Sequence, residues 1–370
     1  MTPDAYAWVV EAIYHDRVSR LQEEMGRRGI EWLWVEPSVG FYYLTGLEPI
    51  SMERLTGLVV PSEGALRLLV PLMLRDECAS IDAEVDVWTD GEGPEPAAGR
   101  VVKDVKRLHV QGSLPAWALM MLRSVKPELE VELDPGALSS LRERKDAHEI
   151  ELIERSGAVT DEMVEWIGTI DLEGMTERAL GGLIQARYLE LGHRPTPDPL
   201  VASGANASMP HYSEGESPIR RDAPLLLDIG CAVEGYWSDI TRVYFPSDLD
   251  PEIEKAYEIV CAAYDAAFAR VEPGVPCQEV DRAARTVIAE AGYGDAFVHR
   301  TGHGLGLEMH EPPYIRDGND QPLEIGHVFS IEPGIYVSGR FGVRYENIVY
   351  LSEDGPLSVN LSPRVHHFSE

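Results

Sequence analysis

Lysine is nearly absent from this chain: only Lys103, Lys106, Lys126, Lys145 and Lys255 occur among 370 residues. Arginine therefore supplies almost all of the positive charge, and 32 basic residues face 63 acidic ones, for a formal net charge of −31. A surface of that sign repels phosphate backbones and anionic lipid, which argues against nucleic-acid and membrane-surface partners. A surface rich in Asp and Glu but poor in Lys suits a chain kept soluble in concentrated salt, where screening cancels self-repulsion; a salt-adapted, halophilic source is the expectation. Cysteine is scarce too. Cys78, Cys231, Cys261 and Cys277 are scattered, form no CxxC pair and make no disulfide framework, so a reducing cytoplasm with buried thiols is expected. No apolar run approaches the ~20 residues that span a bilayer, and the opening MTPDAYAWVVEAIYHDR lacks the pattern of a secretory signal.

What the chain does have is core-forming material, 44% of its residues being hydrophobic. Its length exceeds what one compact core usually covers, which predicts two domains. Residues 11–29 read as an amphipathic helix with Val18, Leu21, Met25 and Ile30 spaced for one face. IEWLWVEP, FYYLTGL, TGLVVP, LRLLVPL and VDVW read as strand-like runs, and DGEGPEPAAGR (90–100) reads as a loop. RLHVQG and LEVELDP flank a helix at 115–124. This alternation predicts an α/β domain over residues 1–137. A charged helical stretch at 138–157 then leads into a second domain, 138–370. Helical patterns recur at 159–168, 176–192, 250–271 and 277–292; strand patterns dominate 224–245 and 327–352. No sequence repeat is visible, but helix pairs followed twice by strand pairs hint at two related halves.

The chemistry-bearing residues lie in those strands. PLLLDIGCAV and GYWSDITRVYF flank Glu234-Gly235, a hairpin turn signal. A hairpin centred between Val233 and Glu234 would set Asp228 directly opposite Asp239, where like charges destabilise a sheet. IEPGIYV and GVRYENIVYL, centred on Gly339, would likewise oppose Glu332 and Glu346. Four carboxylates converging inside hydrophobic strands are costly without cations. Two divalent ions carry the balancing charge, and paired metals in hydrolases sit close enough to share bridging carboxylates. In HRTGHGLGLEMHEPP (299–313) the glycines disfavour a helix, so His303 reads as a loop-borne ligand rather than half of a helical zinc pair. An oxygen-dominated set favours Mn, Co, Fe or Zn.

The ordered set Asp228, Asp239, His303, Glu332 and Glu346 resembles the "pita-bread" metallopeptidases, the group that holds methionine aminopeptidase, Xaa-Pro aminopeptidase and prolidase. PHY (210–212), SDITR (238–242), GHGLGLEMHEPP (302–313), EPGIY (332–336) and VRYEN (343–347) resemble the proline-specific branch. Residues 17–46 resemble the opening of the creatinase-type N-terminal domain. The resemblance implies an α/β (α+β) fold with a creatinase-type N-terminal domain, then a pita-bread catalytic domain with pseudo-twofold halves. It implies two divalent metal ions on the five ligands, with Glu332 also taking a proton from water. It further implies substrate contacts from His211 and His310, and hydrolysis of a small peptide with proline at its second position by a cytoplasmic homodimer. Arg344 and Thr241, each two residues from a ligand on the same strand face, are candidates to orient ligand carboxylates. Two alternatives stand beside this reading: a carbon–nitrogen hydrolase of small guanidino compounds or osmolytes, like creatinase or ectoine hydrolase, and a non-catalytic binding module. Five filled ligand positions argue against creatinase, which works without metal, and against the binding module; metal-bearing relatives that act on small osmolytes stay open.

Overall fold

The computed structural model describes residues 3–172 and 174–368. The chain divides into two compact units, Met1–Arg142 and Glu143–Glu370.

The first unit opens with helix α1 (Pro3–Arg28), which buries Leu21 and Met25. Strand β1 (Trp32–Val35), helix α2 (Val39–Thr45), β2 (Gly57–Pro61), β3 (Leu66–Pro71) and β4 (Ala83–Trp88) follow. Next come helix α3 (Glu95–Val101), β5 (Arg107–Val110), α4 (Ala116–Val125), β6 (Glu130–Leu133) and the short helix α5 (Ala137–Glu143). The six strands form one mixed sheet, ordered β4-β3-β2-β1-β5-β6. Two stretches depart from the expected pattern. FYYLTGL is helical, not strand-like: Ser38 caps it by accepting from Phe41 N, and Gly46 ends it with a left-handed φ of 70°. The second half of DGEGPEPAAGR is helix α3, whose Ala97, Ala98 and Val101 pack into the core beside Trp34, Val59 and Leu108.

The expected charged helix at 138–157 is two helices, α5 and α6 (Ala147–Ile167). Asp146 restarts the chain with a capping box, accepting from Glu149 N while Glu149 accepts from Asp146 N. Then follow α7 (Glu177–Glu190), β7 (Arg194–Pro195), β8 (Leu200–Ser203), β9 (Leu225–Val233), β10 (Tyr236–Phe245), α8 (Pro251–Phe268) and α9 (Cys277–Glu290). The strands β11 (Gly302–Gly304), β12 (Glu311–Ile315), β13 (Val328–Ile331), β14 (Gly334–Val337), β15 (Phe341–Arg344), β16 (Asn347–Ser352), β17 (Gly355–Ser358) and β18 (His366–His367) complete it. One sheet is ordered β18-β10-β9-β7, with β8 also on β9, a second is β12-β11-β13-β16-β17, and β14 pairs with β15 apart.

The two halves of this unit are related. Buried positions of α6 and α7 recur in α8 and α9 at a constant spacing of 100 residues: Ser156 with Ala256, Thr160 with Val260, Met163 with Ala263, Leu180 with Val280, Tyr188 with Ile288. Each helix pair covers its own core. Met163, Ile167 and Ile184 pack with Leu227 and Ile240, whereas Val260, Ala284 and Ile288 pack with Phe329, Val343 and Val349. Arg242, fully buried, links the strands: its five N–H groups reach the carbonyl oxygens of Thr241, Glu346, Ser362 and Pro363 and the Asn347 side-chain oxygen, and its plane lies over the Tyr345 ring.

Candidate metal centre

β9 and β10 are joined by Glu234-Gly235, both with left-handed φ (48° and 84°), a mirror-image two-residue turn. This turn places Asp228 opposite Thr241 and Asp239 opposite Gly230. The expected direct opposition of Asp228 and Asp239 is therefore off by one residue on each strand, because the turn is centred one position later. Moving both strands together preserves the face, so Asp228, Asp239 and Thr241 still project to one side and the two aspartates stand diagonally. The second hairpin has the register expected about Gly339, with Gly334 opposite Arg344, but the ladder ends before the glutamates. Pro333 has no N–H to extend it. Glu332 N donates instead to Thr301 O, and Glu346 N to Thr241 O at 3.4 Å, so the glutamates are set by separate neighbours rather than by each other.

The side chains nonetheless converge. Ligand atoms of Asp239, His303 and Glu346 all lie within 4.8 Å of one another, and all three residues are buried. Glu332 Oε1 is 3.3 Å from His303 Nε2. Asp228 Oδ2 accepts from Arg344 Nη2 at 2.5 Å. Arg344 is the hub: its Nε donates to Thr241 Oγ1 at 2.9 Å, its Nη1 to Tyr336 OH at 2.7 Å, and Thr241 in turn donates to Glu346 Oε2 at 2.7 Å. Thr241 and Arg344 thus orient two carboxylates from the second rank.

Burial, reinforced by the neighbouring carboxylates, pushes Asp239 and Glu346 well above the usual carboxylate range. Burial also pushes Glu332 up to about 7, with Arg344 pulling the other way. Arg344 stays protonated; burial opposes its charge, but Tyr336, Asp228, Glu332 and Glu346 outweigh that. Burial, then the nearby His310, pulls His303 well below its ordinary value, so its imidazole is neutral. Its Nδ1 is 3.1 Å from the Gly304 carbonyl, which can only accept, so the lone pair sits on Nε2. That nitrogen and Glu332 Oε1 are two acceptors facing each other, and Glu346 Oε1 is buried with no hydrogen-bond partner. With its carboxyls ionised the cluster is acceptor-only and leaves one oxygen orphaned, and a cation would complete it in place of the protons that burial otherwise favours, so the residues fit divalent metal.

Around this cluster, the His310 ring lies 3.9 Å from the His303 ring, and Arg300 Nη2 is 3.4 Å from His310 Nδ1. His211 is exposed, close enough for its charge to bear on His299 and His310. Tyr212 beside it donates to the buried Glu177, which also accepts from Ser203 N and Asn206. Three contributors escaped the sequence reading. Ser330 receives His303 N and donates to Glu332. Tyr336 OH stands between Arg344 and His299 Nε2, at 2.9 Å from the latter, and His299 is held neutral by burial, at about 3. Ser330 and Tyr336 lie two before and four after Glu332, the alternation of an extended chain, and that spacing is the signal that could have found them.

Residues 151–353 match the model of metallopeptidase family M24, and residues 17–142 match the creatinase/prolidase N-terminal domain. The chain belongs to metallopeptidase family M24, with the creatinase-type first domain and pita-bread catalytic domain that the resemblance implies. It is 35% identical over 358 residues to a probable dipeptidase PepE of Mycobacterium tuberculosis, covering 95% of each chain. It is similar to the crystal structure of a dipeptidase from Pyrococcus horikoshii OT3, with TM-score 0.91, 35% identity, and 95% of this chain and 100% of that one covered. A recombinant prolidase from Thermococcus sibiricus gives TM-score 0.91 and 35% identity over 96% of this chain and 99% of that one.

Proposed function

We propose that this metallopeptidase cleaves the peptide bond between an N-terminal residue and proline, as an Xaa-Pro dipeptidase or Xaa-Pro aminopeptidase. Two divalent ions would be held by Asp228, Asp239, His303, Glu332 and Glu346. The observation that carries the reading is a set of four carboxylates and a neutral imidazole, in which Asp239, His303 and Glu346 are buried and Asp228 and Glu332 half-buried, with Arg344 as the cation hydrogen-bonded to it. That set is short of positive charge, and its oxygen-rich donors suit Mn, Co, Zn or Fe. When bound, such ions lower the pKa of water and polarise a carbonyl.

The chain's own residues do the rest. Glu332, near neutrality by burial, accepts the proton from the attacking water. His310 and His211 contact the substrate and steady the charge that develops on the scissile carbonyl oxygen. Arg344 and Thr241 hold Asp228 and Glu346 in orientation. An Xaa-Pro bond is a tertiary amide without an N–H, so a site that reads the ring and the free N-terminus can use it where a protease gripping that N–H cannot. The dipeptidase and prolidase among the similar proteins support this substrate class. No helix among the described residues is long and apolar enough to cross a membrane; a cytoplasmic, salt-adapted homodimer belongs to the same proposal. The deciding experiment is turnover of Gly-Pro against Gly-Pro-Ala with added Mn or Co. Cleavage of the dipeptide alone marks a dipeptidase, cleavage of both an aminopeptidase, and cleavage of neither by metal-loaded protein removes the reading.

A further inference from the structure

Lys145 is buried, with 1% of its side chain exposed, and Nζ donates to Glu311 Oε1 at 2.7 Å; Glu311 is itself 4% exposed. An ion pair this dry is not explained by stability. Removing both charges from water costs about what their attraction returns, and well-packed apolar residues would hold the same space as firmly. What an ion pair adds over an apolar plug is direction and length.

Both partners are tied to the candidate centre. Glu311 follows His310, and its strand β12 pairs with the strand of His303, Gly304 lying opposite Glu311. The Glu311 carboxylate is the floor of the turn that ends at His310. Oε1 takes Lys145, and Oε2 lies 3.4 Å from Glu308 N within that turn. Gly306 closes over the pair: a Cβ there would come within 2.8 Å of Glu311 Oε1 and 2.9 Å of Lys145 Cε. The same turn is held from above, where Gly306 O accepts from Trp237 N at 2.8 Å, two residues before Asp239. At its other end, Lys145 N donates to Gly326 O at 2.8 Å, just ahead of β13, which carries Ser330 and leads to Glu332. Lys145 thus spans from the segment that leads to Glu332 to the residue next to His310.

We propose that the Lys145–Glu311 ion pair is a positioning device for His310, setting its imidazole at the distance from His303 and Glu332 that turnover requires. This rests on the role given above to His310. Neither Lys145 nor Glu311 touches substrate or metal in this scheme.

The test is the paired substitution Lys145→Met/Glu311→Leu, which removes both charges and leaves none stranded. Its thermal midpoint and bound-metal content are expected to match the parent, while kcat on an Xaa-Pro peptide falls by about 10²-fold, the loss that a misplacement near 1 Å can produce. In a His310→Ala background the same pair of changes should cost no further rate. Glu311→Gln keeps the shape of the fork and an acceptor for Lys145 Nζ but strands the buried ammonium, so its thermal midpoint should fall while kcat of the folded protein stays within about threefold, and it serves if the paired variant does not fold. A substrate-free reading comes from the ¹⁵N-labelled imidazole signal of His310, assigned by its loss in His310→Ala; the paired variant should shift it. Normal kcat in the paired variant at full metal content would overturn the proposal, as would an equal loss with or without His310, or a Glu311→Gln loss as large as that of the paired variant. If the parent protein cuts no Xaa-Pro peptide, the functional reading fails, and the imidazole signal still decides whether the ion pair positions His310.

Discussion

The two halves of the catalytic unit share a scaffold and divide the chemistry unequally. Helices α6 and α7 present the same buried positions as α8 and α9 one hundred residues later, yet the first half brings Asp228 and Asp239 to the centre and the second brings His303, Glu332 and Glu346. The difference is sharpest where each helix pair braces the loop that follows it. In the first half Glu177, at the start of α7, gathers Ser203, Asn206 and Tyr212 beneath a loop that leaves His211 exposed. In the second half the acid sits one turn further along. Asp281, at the position matching Gly181, accepts from Thr301 N and Oγ1 and is paired with Arg285. Thr301 lies two residues before the buried His303. The two carboxylates thus stand one helical turn apart and brace different segments, Ser203 to Tyr212 in the first half and Thr301 in the second. Packing symmetry is thus compatible with functional asymmetry, because packing depends on which positions are buried and chemistry on which atoms lie at their ends.

That comparison can be broken at several points. Asp239→Asn should have the largest effect. It removes a candidate ligand from the first half, and a loss of several kcal/mol of charge stabilisation corresponds to a kcat lowered by ~10³-fold or more; on the proposed two-ion reading, metal analysis should find one ion fewer per chain. Retention of near-parental turnover would show that the second half holds the centre alone. Asp281→Ala strands Thr301 N and Oγ1 in the interior and should cost about 3 kcal/mol of unfolding free energy, read from urea titration; a change under about 0.5 kcal/mol would leave the brace without a function. His310→Ala should keep its metal and lose ~10²-fold in kcat, while His211→Ala, at the exposed counterpart loop, should lose about tenfold. Equal losses would erase the distinction between the two loops. Smallest of all, Gly235→Ala forces a side chain onto a φ of 84° and should cost about 1 kcal/mol, seen as a shift in denaturation midpoint without loss of metal.

Much of this was legible in the sequence for identifiable reasons. The strands β9, β10 and β13 to β16 announce themselves through apolar runs bounded by turn residues, and the four candidate carboxylates sit in or beside those runs, while His303 lies on β11. The face of Asp228 and Asp239 was readable because strand periodicity is two; their pairing partner was not, since it depends on which two residues form the turn. Glu332 and Glu346 were found through a ladder that ends at Pro333, so their proximity owes more to Thr301 and Thr241 than to the hairpin. FYYLTGL looked like a strand by composition, and only the Ser38 and Gly46 caps made it a helix. The order of elements hinted at two related halves, but their residue-by-residue correspondence was hidden because burial repeats where residue identity does not: Thr160 and Val260 fill equivalent places with different chemistry. Lys145 and Glu311 gave no signal at all, being 166 positions apart.

Arg242 carries one last consequence, for the order of events during synthesis. Two of its five acceptors, the carbonyls of Ser362 and Pro363, lie 120 and 121 positions further along. Until the ribosome has delivered them, the guanidinium must stay hydrated, and the strand behind it cannot close. The interior around Arg242 is therefore completed only once Ser362 and Pro363 have emerged.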